Sequence, residues 1–269
     1  MPELPEVETV KRGIQILSKQ KITDLVIRNF SLRYPITKAL ITNTVNKTIV
    51  NITRKAKYLI IELNPSGYII LHLGMSGKLS LANKNTSLIK HDHVDFVFNE
   101  ILLRYNDPRR FGCIIYTESL DDHPLLKNLG PEPLEDEFND KYLLKQLAKK
   151  KSSIKQLIMD NHIVVGVGNI YACEALFLAK ISPIRRGESI TKSEAKRLTE
   201  TIKEVLSLAI KLGGSSLRDY KKADGNLGYF QNVHNVYGKA GTECRICNSI
   251  ILEKRLGQRN SFFCSTCQK

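Results

Sequence analysis

The hydrophobic positions change period twice along the chain. Between Glu6 and Leu17 the apolar residues Val7, Val10, Ile14 and Leu17 recur every three or four positions, which is the spacing of one helix face. From about Thr23 the pattern shortens. Leu25–Ile27, Ile49–Ile52, Tyr58–Ile61, Tyr68–Leu71, Val94–Phe98, Ile101–Arg104 and Cys113–Tyr116 are brief runs rich in β-branched residues, bounded by polar or Gly/Pro breaks. Such runs predict strands. Asn99-Glu100 is placed for a tight hairpin turn, although it lacks the usual glycine. Regularly spaced strands with turn breaks predict an all-β sandwich, with the opening helix packed on or beside it.

The second change comes near Leu125–Glu135, where Gly130-Pro-Glu-Pro133 reads as a stiffened linker. Beyond it the helical period returns. Lys141–Lys150 predicts one helix, and Ser152 is placed to cap a second whose apolar face is Ile154, Leu157 and Ile158. Asn169–Ala179 predicts a third. Thr191 and Glu194 form a capping box for a long helix, whose stripe is Ala195, Leu198, Ile202, Val205 and Ala209 and which Gly213-Gly214 ends. Ser215–Gln231 is rich in Gly and Lys and reads as a mobile loop. Ile250–Leu252 and Phe262-Phe263 then predict a terminal hairpin. The class is α+β and multidomain: a β-sandwich with an N-terminal helix over 2–124, a linker over 125–134, a helical domain over 135–230 and a β-hairpin module over 235–269.

With 269 residues, 42% of them hydrophobic, the chain can build one large or two modest cores. No run approaches the ~18 consecutive apolar residues of a membrane span. The net charge of +14 suits a polyanionic partner but does not choose among DNA, RNA and an anionic membrane. Tryptophan is absent and aromatics are few, which argues against a stacking platform for long single strands.

Both ends of the chain carry chemistry. Cys244-x-x-Cys247 and Cys264-x-x-Cys267 have sixteen residues between them, the spacing of a four-thiolate zinc site. Four thiolates close a tetrahedral shell, so the one zinc expected there is structural. Two disulfides are the alternative. The absence of a signal peptide and the extra cysteines Cys113 and Cys173 favour a reduced cytosolic protein. At the other end stands Met1-Pro-Glu-Leu-Pro-Glu-Val-Glu-Thr9. Removal of Met1 would leave Pro2 with a free secondary amine, titrating near ~8 and therefore partly neutral and nucleophilic. Its product with a carbonyl-type carbon has no N–H to lose, so it stays a cationic iminium and an electron sink. Glu3 lies beside it and could move protons. The same residues also suit an ordinary helix start.

The nine-residue start and the four-cysteine end together resemble the formamidopyrimidine-DNA glycosylases, bacterial base-excision repair enzymes for oxidised purines. Lys55-Ala-Lys57-Tyr58-Leu59, His72-Leu-Gly-Met75-Ser-Gly77, Lys90-His91-Asp92-His93 and Asp107-Pro-Arg-Arg-Phe-Gly112 carry the resemblance through the first half of the chain. Gly166-Val-Gly-Asn169-Ile-Tyr171, Val236-Tyr237-Gly238 and Cys264–Gln268 carry it through the second. The resemblance implies a β-sandwich, a helix–two-turns–helix domain and a β-hairpin zinc finger, with duplex DNA lying across the cleft between two lobes.

It also implies roles. Pro2 attacks C1′ of an extruded nucleotide, Glu3 is the general acid/base, and Lys57 and Arg259 assist the β- and δ-eliminations. Met75, Arg109 and Phe111 fill the gap left in the duplex. His91, Lys150, Lys155, Asn169, Tyr237 and Gly238 contact DNA, and the loop over 215–228 covers the base. The expected partner is double-stranded DNA with an oxidised purine or abasic site. The protein is expected to be a monomer, cytoplasmic and nucleoid-associated.

Residue by residue, plainer readings stand beside these. Lys57 lies in the basic run Arg54–Lys57, where a solvated edge charge is the default. Burial statistics favour core positions for Met75 and Phe111, whereas Arg109 after Pro108 is expected at the surface. Asn169 suits a helix cap, and Lys149–Lys151 a solvated helix end. Arg259 has a guanidinium fork better matched to phosphate than to proton donation. Asn260, Ser261 and Ser265 depart from the family's pattern, and Asn260, by altering the hairpin turn, puts the aim of Arg259 in question. Three alternatives remain. One is endonuclease VIII, against which stand Leu4, Lys155 and the loop after Gly214. Another is a non-catalytic damage-binding protein of the same fold, which a retained Met1 would favour. The third is a zinc-ribbon RNA binder, which leaves Pro2-Glu3 and Asp107–Gly112 unexplained.

Overall fold

The computed structural model describes residues 2–215 and 228–269. They fall into two compact units. One is Met1–Lys127 with Leu212–Tyr229, and the other is Asn128–Lys211 with Phe230–Lys269.

The first unit is a sandwich of two four-stranded antiparallel sheets. Its elements in order are α1 (Leu4–Gly13), β1 (Asp24–Ile27), α2 (Lys38–Thr42), β2 (Thr48–Lys55), β3 (Tyr58–Asn64), β4 (Tyr68–His72), β5 (Lys78–Asn83), β6 (Asp92–Val97), β7 (Ile101–Asn106) and β8 (Cys113–Thr117). The sheets run β1-β6-β7-β5 and β2-β3-β4-β8. Val7, Val10, Ile14 and Leu17 face the core as their spacing requires. There they join Ile49, Ile52, Leu59 and Ile61 of one sheet and Phe96, Leu103 and Tyr105 of the other. The expected helix ends at Gly13, and Gln15–Leu17 continues it as a single 3₁₀ turn. The Asn99-Glu100 turn forms, with Phe98 N–H donating to the Ile101 carbonyl at 2.9 Å. Two elements were not foreseen. Strand β5 has only Leu79 and Leu81 as large apolar residues, and α2 is five residues, too short to show a period.

The second unit contains α3 (Asp140–Leu147), α4 (Ile154–Ile158), α5 (Asn169–Leu178), α6 (Lys192–Lys211), β9 (Leu252–Leu256) and β10 (Arg259–Phe263). Helix α5 is the axis of the unit: Ile170–Phe177 are all buried, and α4, α6 and β10 pack around it. Helix α6 opens on the expected capping box. Thr191 N–H donates to Glu194 Oε2 at 2.9 Å, and Glu194 N–H to Thr191 Oγ1 at 3.3 Å. Three local expectations are corrected. Helix α3 stops at Leu147, because Ala148 turns extended. Ser153, not Ser152, caps α4, its Oγ accepting Gln156 N–H at 3.4 Å. Asn169 does not cap α5; Gly168 holds that position and Asn169 is the first helical residue. The Gly130-Pro-Glu-Pro133 stretch is hydrogen-bonded into this unit, with Gly130 N–H on the Asn161 carbonyl at 2.7 Å. No helix among the described residues is long and apolar enough to cross a membrane.

Candidate active site and metal centre

The start of α1 is closed by two acids. Pro2 and Glu3 are both buried. Glu3 is the N-cap residue, and its N–H donates to Glu6 Oε2 at 2.8 Å. The other Glu6 oxygen accepts Ser215 N–H at 2.7 Å. Gly214 beside it has φ +80, and a Cβ there would lie 2.8 Å from Glu6 Oε1. A Cβ on Gly228 would collide with the Gly214 carbonyl. Glu6 therefore gathers the helix start and the described ends of the 215–228 loop at one point. Residues 216–227, expected to cover the extruded base, lie outside the described residues.

Lys57 lies in the two-residue turn between β2 and β3, where Ala56 takes φ 54. It is 9% exposed, so the solvated edge charge expected from its basic run is not what forms. The cause lies in its neighbours. Glu8 of α1 accepts Arg54 Nε at 3.1 Å, and Arg54 Nη1 donates to the Ala56 carbonyl at 3.0 Å. The turn carrying Lys57 is thus braced to the helix carrying Pro2 and Glu3. Burial works against ionisation of Glu8, but Lys11, Arg12 and Arg54 around it hold its carboxyl below the usual range. His72 at the end of β4 accepts Gly74 N–H on Nδ1 at 2.9 Å, and its ring centroid is 4.9 Å from that of Tyr58. Burial, and then the nearby Lys57 and Arg33 charges, push its pKa down to about 4. It is therefore neutral near pH 7, with its one proton on Nε2.

Met75, Arg109 and Phe111 sit on neighbouring turns. A Cβ on Gly74, which has φ +61, would collide with the Phe111 backbone, so the two turns touch through main chain. Phe111 is 46% exposed and Met75 half-buried, against the core positions that burial statistics favour. Arg109 is exposed as expected, with its guanidinium 4.8 Å from the Phe111 ring centroid. His91 is half-buried with φ 75, and its carbonyl accepts Asp107 N–H at 3.1 Å.

In the second unit the candidate DNA contacts divide into buried and exposed sets. Lys155 is 1% exposed. Its Nζ donates to Asn169 Oδ1 at 2.6 Å, Ser261 Oγ at 2.7 Å and the Asn260 carbonyl at 2.9 Å. Three ammonium donors meet three acceptors, so Lys155 is placed as an internal tie and not as a surface cation. Asn169 Nδ2 also donates to the Asn260 carbonyl at 3.0 Å. Asn260 thus enters through its backbone, and its side-chain identity leaves the hairpin register intact, with Arg259 opposite Leu256. Arg259 and Lys150 are exposed. Tyr237 is held from below. Glu174 of α5, 1% exposed, accepts the N–H groups of Asn235, Val236 and Tyr237 at 2.8, 3.0 and 2.8 Å. The Tyr237 ring packs edge-on against Phe262 at 5.1 Å.

The four cysteines converge. The Sγ atoms of Cys244, Cys247, Cys264 and Cys267 all lie within 4.8 Å of one another. The Cys244–Cys267 and Cys247–Cys264 separations are 3.9 and 3.4 Å. Both are far beyond an S–S bond of ~2.05 Å. They approach the ~3.8 Å edge of a tetrahedron with ~2.3 Å metal–sulfur bonds. The set can hold a metal ion.

Comparison with known proteins settles the family. Residues 1–114 match the formamidopyrimidine-DNA glycosylase N-terminal domain, and residues 129–221 match the H2TH domain of the same enzymes. The chain belongs to the formamidopyrimidine-DNA glycosylase family. A formamidopyrimidine-DNA glycosylase of Hydrogenovibrio crunogenus is 49% identical over 272 residues, covering 100% of this chain and 97% of the relative. One from Haemophilus influenzae is 49% identical over 271 residues, covering 100% and 99%. Among solved structures, a Lactococcus lactis FPG mutant in complex with DNA containing Fapy-dG superposes with a TM-score of 0.93 at 37% identity, over 100% of both chains. The Lactococcus lactis enzyme with abasic-site DNA gives 0.92 at 38%, over 99% of each.

Within this glycosylase, three acids escaped the sequence reading. Glu6 looked like macrodipole decoration. Glu174 is the one acid in an otherwise uncharged helix, and that isolation was the available signal. Asp107 was noted only as part of a run of residues.

Proposed function

We propose that this glycosylase excises oxidised purines from duplex DNA through a Schiff base on Pro2 and then cleaves the strand at the resulting abasic site. The full-length relatedness to formamidopyrimidine-DNA glycosylases carries the reading. The buried, doubly capped helix start supplies the chemistry. A damaged base is out of reach inside the stack, so the nucleotide must be extruded. The Pro2 nitrogen attacks C1′ and the bond to the base breaks. Glu3 protonates the ring oxygen as the sugar opens, leaving a C1′ iminium that acidifies the C2′ proton. Loss of that proton expels the 3′ phosphate, and a second elimination expels the 5′ phosphate. Lys57, buried beside the helix and poorly solvated, serves proton transfer in the first step. Arg259, exposed at the hairpin tip, binds phosphate with its guanidinium fork.

Met75, Arg109 and Phe111 occupy the gap left by extrusion. Asn169, His91, Lys150 and Tyr237 fix the phosphate backbone. Lys155 serves that grip indirectly, by holding Asn169 against the hairpin. The cysteine set fits one zinc ion, which when bound joins the two halves of the finger. The enzyme acts as a monomer in the cytoplasm, associated with the nucleoid through DNA.

The test is covalent trapping. The protein is mixed with duplex DNA carrying one 8-oxoguanine, borohydride is added, and adducts are sought by mass. DNA attached to Pro2 is the expected result. A free Pro2 N-terminus, bound zinc and no adduct would reject the glycosylase mechanism.

A further inference from the structure

We propose that Asp107 is a positioning residue for base extrusion: its buried carboxylate locks the Met75 turn and the Arg109–Phe111 turn into one preformed wedge. The inference rests on the gap-filling role given above to those three side chains.

Asp107 is 0% exposed, and three of the four hydrogen bonds to its carboxylate come from the two turns. Oδ1 accepts Ser76 Oγ–H at 2.6 Å and Arg109 N–H at 3.3 Å. Oδ2 accepts Tyr105 O–H at 2.9 Å and Gly112 N–H at 2.9 Å. Ser76 Oγ in turn accepts Arg109 N–H at 3.1 Å. Ser76 follows Met75 directly, while Arg109 and Gly112 bracket Phe111. One carboxylate therefore fixes the backbone on both sides of the exposed ring and next to the half-buried methionine. Its main chain is tied as well. The Asp107 carbonyl accepts Arg110 N–H at 3.2 Å and lies 2.8 Å from His93 Nε2.

This density of bonds has a physical purpose. A core aromatic is held by the side chains around it, but Phe111 is nearly half exposed and has Arg109 stacked on it instead. Such a ring stays in place only if its backbone is fixed. A wedge entering the duplex must also replace stacking that the extruded base has lost. Ordering a loose loop at that moment would consume the gain, whereas a preorganised loop loses little. The donors are permanent: burial, and then the Asp107 charge itself, push the Tyr105 phenol far above its ordinary range, so it remains protonated. Gly112 is required for the approach, since a Cβ there would collide with the Tyr105 hydroxyl.

The experiment compares two substrates in the full-length, metal-loaded protein. One is a duplex with 8-oxoguanine opposite cytosine, which must be opened. The other is a single-stranded oligonucleotide with a preformed abasic site, which leaves no gap to fill. Asp107→Asn keeps the size but turns one acceptor into a donor facing an N–H or O–H. Duplex excision is expected to fall about tenfold or more, the scale of one buried polar group left unsatisfied. Single-strand cleavage is expected to stay within about twofold. Ser76→Ala and Tyr105→Phe each remove one donor and should give smaller losses with the same split. They carry the test if Asp107→Asn does not fold. Equal losses on both substrates, or no loss on the duplex, would overturn the proposal. A wild-type protein inactive on both substrates would instead overturn the glycosylase reading beneath it.

Discussion

Lys155 Nζ lies 2.6 Å from Asn169 Oδ1, so a fully buried ammonium holds the first residue of α5 against the terminal hairpin. The same group reaches the Asn260 carbonyl and the Ser261 hydroxyl. Lys155→Ala would strand three acceptors in a dry site. We expect a loss of about 3 kcal/mol, by the penalty for unmade bonds to a buried charge. The loss would be read as a lower melting temperature. Lys155→Arg should recover little of it, because a planar fork cannot match three convergent acceptors.

Glu174 should control DNA affinity without touching DNA. Its carboxylate takes the backbone N–H groups of Asn235, Val236 and Tyr237 and also Asn235 Nδ2. Glu174→Gln brings an NH₂ against N–H donors and should release Tyr237. Binding to lesion duplex is expected to weaken about tenfold, the equivalent of one lost buried polar contact. An unchanged dissociation constant would remove Tyr237 from the phosphate contacts.

Gly214→Ala tests the Glu6 junction. The position has φ +80 and no room for a Cβ beside Glu6 Oε1. Left-handed backbone costs an L-residue about 1–2 kcal/mol, before any collision is counted. Reduced stability and slower excision on duplex DNA are expected from melting and single-turnover rates.

Among the groups that make the fold acid-sensitive, His72 and Glu194 are shifted furthest. Burial and nearby cations hold His72 at about 4 when folded, below its ordinary value near 6.5. The unfolded chain therefore binds this proton first. The stability from a neutral His72 is whole above pH ~6.5 and is lost as pH falls toward 4. His72→Asn should reduce the fall of melting temperature across that window, with His234 and His123, also lowered by burial, contributing the rest. Glu194 behaves likewise lower down. Burial opposes it, but Arg185 and Thr191 hold its carboxyl at about 2, so its contribution persists above ~4.5 and disappears as pH falls through 2. Glu194→Gln should leave the slope between about pH 5.5 and 6.5 untouched and reduce it below.

What the sequence made legible follows from separation along the chain. Helix α1, the strand runs and α6 carry their period within a few residues, so Val7, Val10, Ile14 and Leu17 could be placed in the core directly. The four cysteines were legible because metal chemistry constrains their spacing. Lys57 and Lys155 were not. A lysine is buried only where its partners are assembled, and two of the three acceptors of Lys155 lie about a hundred residues away at Asn260 and Ser261. Glu6 was obscured for the same reason, since its second oxygen is used by Ser215. Strand β5 was missed because its outward positions Ser80 and Ala82 are small and dilute the alternation.

The junction at Glu6 has an evolutionary consequence. Glu6 takes the Glu3 N–H on one oxygen and the Ser215 N–H on the other, while Gly214 and Gly228 leave no room for a Cβ beside Glu6 or against the Gly214 carbonyl. Glu6, Gly214 and Gly228 are therefore constrained jointly, and a change at one is felt at the others. Selection acts on these three positions as one unit.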